Sequence, residues 1–117
     1  MKDLFIEYPK CTTCQKAKKW LIENNIEFED RHIVENNPTR KELEKWVKTS
    51  KLEMKKWFNT SGLKYKELNL KDKLLVMSEE EKLDLLASDG MLVKRPILIT
   101  ENGICPGFKE EIWRELL

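Results

Sequence analysis

The strongest constraint lies near the N-terminus, where a short apolar run, Leu4-Phe5-Ile6, leads through Tyr8-Pro9-Lys10 into Cys11-Thr12-Thr13-Cys14. Asp3 to Tyr8 reads as a buried strand, and Pro9 stops it. From about Thr12 to Asn25 the spacing predicts a helix, with Cys14, Ala17, Leu21 and Asn24 on one side and lysines on the other. This order sets Cys11 where the helix begins and Cys14 one turn into it. A CxxC pair at a strand-to-helix junction is a redox signal, because one thiol can attack and the other resolve.

The rest of the chain extends this start into a fold. Ile26, Phe28, Ile33 and Val34 suggest a second strand parallel to the first, which closes a β-α-β unit, and Asn36-Asn37-Pro38 then breaks the chain. Thr39 with Glu42, and Ser78 with Glu81, are capping boxes. The first opens a helix expected to bury Leu43, Trp46 and Val47, the second a helix expected to bury Leu83, Leu85 and Leu86 and to end near Asp89-Gly90. Shorter helical pieces fall around Met54 to Phe58 and Tyr65 to Leu70. Pro96-Ile97-Leu98-Ile99-Thr100 reads as a strand, Asn102-Gly103 as a two-residue hairpin turn, and Ile104-Cys105 as the start of the partner strand. Phe108 to Leu117 closes the chain as a helix with Ile112, Trp113 and Leu116 inward. The order β-α-β, helical block, β-β-α predicts an α/β protein. Its expected form is a single thioredoxin-like domain over residues 1–117, with a mixed four-stranded sheet and a helical insertion at about 38–90.

Composition narrows the function classes. A chain of 117 residues is long enough for a core without disulfide staples. Its formal net charge of +1 argues against nonspecific attraction to nucleic acid or membrane over the whole surface. No apolar run approaches the ~20 residues that span a bilayer. Three cysteines are a poor disulfide framework. With no apolar signal-peptide core at the N-terminus, the expected location is the cytoplasm.

A thiol becomes a nucleophile on losing its proton, and its ordinary pKa of ~8.5 leaves little thiolate at neutral pH. At the helix start, free N–H groups and the positive end of the helix dipole favour an anion. Lys10, Lys16, Lys18 and Lys19 add cationic potential, screened within ~8–10 Å. A depressed pKa is therefore expected for Cys11, with the helix terminus contributing more than the lysines, and a higher one for the more buried Cys14. That asymmetry suits an attacking and a resolving thiol. The pair could instead be buried structural cysteines or half of a zinc site. Zinc needs two further ligands, and only His32 and Cys105 remain, so neither a metal nor a cofactor is expected.

In the expected fold, Pro96 enters its strand through a cis peptide and faces the CxxC. Arg95 would then offer a fixed cation to the thiolate or to a bound oxyanion. The alternatives are an edge-strand proline and a surface arginine. Lys10, Thr12, Thr13 and Pro96 are candidates for lining a substrate or partner groove. The lysine-rich helix face is either simply solvated or suited to an anionic substrate or acidic partner. His32 reads as a surface strand-end residue, and Cys105 as a half-buried apolar one or a third redox thiol.

Cys-Thr-Thr-Cys-Gln-Lys-Ala-Lys-Lys-Trp-Leu, the Arg95-Pro96 pair and Gly107-Phe108-Lys109-Glu110-Glu111 resemble the arsenate reductase-like family. Within it they are most similar to the branch containing Spx and its short relatives. The resemblance runs over essentially the whole chain. It implies a thioredoxin-like fold with a helical insertion, Cys11 as the active-site thiol and Cys11–Cys14 as a redox couple. Glutaredoxin-linked arsenate reductases carry one nucleophilic cysteine and grip the oxyanion with three arginines. Arg95 matches one of these, and the other two positions fall near Asn59 and Gly107. Spx-type regulators contact the RNA polymerase α subunit through a surface that includes a glycine, and Glu53 stands at that place here.

Three functions follow as expectations. The first is a thiol–disulfide oxidoreductase acting on a disulfide-bearing protein or a low-molecular-weight thiol. The second is a redox-sensing regulator that binds RNA polymerase α, and the third is an arsenate reductase. None calls for direct nucleic-acid or membrane contact.

Overall fold

The structure, a computed structural model, describes residues 3–117. In chain order the elements are β1 (Asp3–Glu7), α1 (Thr12–Glu23), β2 (Phe28–His32), α2 (Arg40–Ser50), a 3₁₀ turn (Met54–Trp57), α3 (Leu63–Glu67), α4 (Leu70–Lys73), α5 (Glu79–Ser88), a second 3₁₀ turn (Gly90–Leu92), β3 (Ile97–Thr100), β4 (Gly103–Pro106) and α6 (Glu110–Leu116). They fall into two compact units. One comprises the described residues through Ile33 together with Arg95–Leu117, and the other is Val34–Lys94.

The first unit is the α/β body. Its sheet has the order β2-β1-β3-β4, with β1 parallel to β2 and antiparallel to β3, and β3 antiparallel to β4. This is the mixed four-stranded sheet expected from the sequence. Side chains alternate across a strand, and Phe5 of β1, Leu98 of β3 and Cys105 of β4 build the core with Ala17, Trp20 and Leu21 of α1 and Trp113 of α6. Trp113 meets Phe5, Trp20 and Phe108 edge-on, with ring centroids 6.1, 6.2 and 4.9 Å apart. That geometry suits aromatic quadrupoles.

Several boundaries differ from expectation for local reasons. β2 is Phe28–His32, whereas Ile26 packs on the core before it and Val34 is exposed after it. Asn24 is exposed and caps α1, its amide donating to the Trp20 carbonyl at 2.8 Å, so Trp20 takes its expected inward place. The hairpin turn is Glu101-Asn102, one residue earlier than the Asn-Gly signal, because Gly103 pairs with Thr100 as the first residue of β4. The Asn102 amide donates to the Thr100 hydroxyl, and both residues' side chains donate to the last-turn carbonyl of Leu116. A Cβ on Gly103 would lie 2.8 Å from Leu116. α6 starts at Glu110, and only Trp113 is fully inward. Ile112, one residue away and therefore on a different face, is 39% exposed.

The second unit is helical. Both capping boxes form reciprocally: Thr39 with Glu42 opens α2, and Ser78 with Glu81 opens α5. The two helices pack together and bury Leu43, Trp46, Leu83 and Leu86, with Val47 and Leu85 only half-buried. Arg40 bridges Glu44 of its own helix to Glu80 and Asp84 of α5.

Candidate active site

β1 delivers its C-terminal end to the start of α1 through Tyr8-Pro9-Lys10. The turn is tied at two points. The Cys11 amide donates to the Tyr8 carbonyl at 2.9 Å, and the Gln15 side chain donates to the Pro9 carbonyl at 2.9 Å. Cys11 is the N-cap of α1, with extended backbone and no capping hydrogen bond from its side chain. Its sulfur is thus set among the first amides of the helix, where an anion is favoured.

The two thiols stand in opposite environments. Cys11 is half-buried and Cys14 fully buried, and all three cysteines of the chain are free. Burial, the largest influence on Cys11, pushes its pKa up. It is outweighed by the Cys14 amide, the Cys14 thiol and the Arg95 guanidinium, so Cys11 lies below the ordinary thiol value. Burial pushes the Cys14 thiol up to about 12, reinforced by the negative charge of Cys11 beside it and opposed by the Tyr8 amide and Arg95. The asymmetry read from the sequence is present, and its cationic source is Arg95. Lys18 instead turns to Glu7 and Asp30, at 3.3 and 2.6 Å, and Lys19 pairs with Glu23 at 3.8 Å.

Arg95 reaches the pair from the bend that leads into β3. Its guanidinium carbon lies 5.2 Å from the centre of the Tyr8 ring. The Arg95–Pro96 peptide is cis, and the Pro96 carbonyl accepts a hydrogen bond from the Gly107 amide at 2.6 Å. Of the residues singled out in the sequence, Cys11, Cys14 and Arg95 are brought together. Lys10, Thr12 and Thr13 are exposed beside Cys11, and Pro96 is buried. His32 meets the Tyr8 ring edge-on at 5.8 Å. Cys105 sits in the core, where burial raises its pKa and its thiol lies 3.5 Å from the Gly107 carbonyl. Among the described residues no group of three or more His, Cys, Asp and Glu stands where it could hold a metal ion.

Sequence reasoning missed two residues of this neighbourhood. Tyr8 was absorbed into the strand, although it touches the site through its carbonyl, its amide and its ring. Glu7 is only 3% exposed and faces Lys18 and Asp30. Burial, its largest influence, and Asp30 together outweigh Lys18 and raise its pKa to about 7. The available signal was strand alternation, which sets Glu7 on the same face of β1 as core Phe5.

Comparison with known proteins adds to this geometry. The ArsC family profile matches residues 6–116. The chain belongs to the ArsC family. Over 111 residues it is 54% identical to the uncharacterized protein YusI of Bacillus subtilis, covering 95% of this chain and 94% of that one. It is 35% identical to the regulatory protein MgsR of the same organism, covering 89% of this chain and 81% of MgsR. A crystal structure from Bacteroides fragilis, described as related to the ArsC family, superposes with a TM-score of 0.96 at 58% identity, covering 100% of this chain and 98% of that one.

Within this ArsC-family chain, Gly107 and Asn59, the residues that the resemblance sets near the two other arginine positions, lie in defined backbone settings. Gly107 has a φ of +86°, a left-handed backbone that an arginine would strain. Its carbonyl also accepts from the Trp113 indole at 3.0 Å. Asn59, in the helical unit, is buried. Its backbone N–H donates to the Leu92 carbonyl, and its backbone carbonyl accepts from the Gly62 N–H.

Proposed function

We propose that this chain is a thiol–disulfide redox protein that cycles Cys11 and Cys14 between dithiol and disulfide. The observation that carries the reading is the paired asymmetry: a half-exposed Cys11 held toward the thiolate beside a buried Cys14 held as the thiol. The Cys11 thiolate attacks one sulfur of a substrate disulfide, R–S–S–R′. The S–S bond breaks, R′–S⁻ leaves, and a mixed disulfide remains on Cys11. Cys14 then passes its proton to the departing R′–S⁻ and attacks the Cys11 sulfur, which releases R–S⁻ and closes the Cys11–Cys14 disulfide. The substrate is thereby reduced by two electrons, and a thiol reductant of the cell returns the pair to the dithiol. Arg95 supports the thiolate. A disulfide-bearing protein or low-molecular-weight thiol docks against Lys10, Thr12 and Thr13, exposed beside Cys11, while the buried Pro96 shapes the backbone behind them.

Trapping tests this reading directly. Cys14→Ser should leave the client held as a mixed disulfide on Cys11, recovered from lysate and released by dithiothreitol. Cys11→Ser should recover nothing. Equal recovery with both variants, or with neither, contradicts the mechanism.

A second reading is favoured by the similarity to a regulatory protein: the same redox pair controls docking on RNA polymerase α. Pull-down with polymerase α, oxidised against reduced, separates the two, and absence of binding in both states removes the regulator. Arsenate reduction is not proposed. Of the three arginines that grip the oxyanion in the reductases, the sequence matches one, Arg95, with Asn59 and Gly107 near the other two positions, and each lost charge-assisted contact costs roughly 1.5–3 kcal/mol.

A further inference from the structure

We infer that Tyr8 is a positioning residue for the thiol chemistry, its ring holding the Arg95 guanidinium beside Cys11. The inference rests on the redox reading above and extends it to a residue that neither the motif nor the resemblance singles out.

The backbone of Tyr8 already belongs to the site, since its carbonyl holds the Cys11 amide at 2.9 Å and its own amide lies against the Cys14 thiol. The ring adds something the backbone cannot. Arginine is a long side chain with several rotatable bonds, and a half-buried one swings toward water unless held. An aromatic face attracts the guanidinium through its quadrupole and leaves the charge intact. Arg95 lies over such a face at 5.2 Å, while the same guanidinium hydrogen-bonds Cys11 and helps lower its pKa.

The ring is itself braced. His32, at the end of β2, meets it edge-on at 5.8 Å and an interplanar angle of 87°, and lies in register opposite Glu7, the residue before Tyr8. β2, the Tyr8 turn and the chain entering β3 thus converge on one cation beside one sulfur.

The readout is the thiolate of Cys11, followed as its rate of alkylation by iodoacetamide against pH with peptide-level mass spectrometry. Tyr8→Phe keeps the ring and should stay close to the parent. Tyr8→Leu should slow alkylation about two- to fivefold near pH 6.5, the range an exposed to partly buried cation–π contact supports, and shift the profile upward. In an Arg95→Met background, Tyr8→Leu should have no further effect. Phenylalanine bearing one, two or three ring fluorines at position 8 drains the quadrupole with little change of shape. The profile should move up stepwise with fluorination, and this series serves even if Tyr8→Leu does not fold. A flat fluorine series, or an equal Tyr8→Leu effect with and without Arg95, overturns the inference. If Arg95→Met raises the Cys11 profile but every Tyr8 variant matches the parent, only the role of Tyr8 falls. If the parent shows an ordinary thiol profile that Arg95→Met leaves unmoved, the redox reading falls with it.

Discussion

Replacing Glu7 by glutamine should make the protein more stable at pH 8 and change little at pH 5. Glu7 is buried on β1, faces Lys18 from α1 and Asp30 from β2, and stands in register with His32. Its folded pKa is about 7, against an ordinary value of 4.5. For an acid whose folded pKa is raised, the folded state holds the proton more tightly than the unfolded chain. The resulting stability is complete below the unfolded value and is lost as pH rises from about 4.5 through 7. Worked through the two pKa values, the loss between pH 5 and pH 8 is roughly 2–3 kcal/mol. Glutamine keeps the shape and removes the titration, and Lys18 keeps Asp30 as its partner. The assay is urea unfolding of parent and Glu7→Gln at pH 5, 6, 7 and 8, followed by tryptophan fluorescence. The stability difference should grow steadily across that range, equivalent at pH 8 to a melting shift on the order of 10 °C. A difference that does not vary with pH, or a variant that is less stable at pH 8, would refute the assignment of a tightly held proton to Glu7.

Three other changes probe separate parts of the account. Gly107→Ala places a Cβ on a left-handed backbone at φ +86° and should cost about 1–2 kcal/mol in denaturant melts. An unchanged midpoint would show that this turn relaxes freely. Ser78→Ala removes the side chain that accepts from the Glu81 amide and should cost about 1 kcal/mol, restored in part by Ser78→Asp. In native protein Cys105 should resist iodoacetamide under conditions that alkylate Cys11 within minutes, because it is buried in the core and its pKa is raised. Equal labelling of the two would contradict that placement.

The fold was legible where one physical rule dominates locally. The strand Leu4-Phe5-Ile6, the junction at Cys11 and both capping boxes each follow from local pattern, and each stands as expected. Errors arose where a distant group decides. The hairpin turn moved one residue because Gly103 pairs with Thr100, while Thr100 and Asn102 both donate to the distant Leu116 carbonyl. Trp20 displaced Asn24 because Trp113 and Phe108 offer it aromatic edges. The site divides in the same way. The thiol asymmetry was readable from a helix start, a matter of neighbours in sequence. Lys18 is captured by Glu7 and Asp30, acids on two different strands, a pairing that no local pattern announces. The contact of Tyr8 with Arg95 joins residues far apart in the chain, and no local pattern announces it.

If Cys11 and Cys14 form a redox couple, mild oxidation should join them, which intact-protein and peptide mass spectrometry reads. The expected result is a loss of two hydrogens mapped to a Cys11–Cys14 disulfide, reversed by dithiothreitol and absent in Cys11→Ser, with Cys105 remaining a free thiol. An oxidised protein of unchanged mass, or a disulfide that engages Cys105 instead, would contradict it.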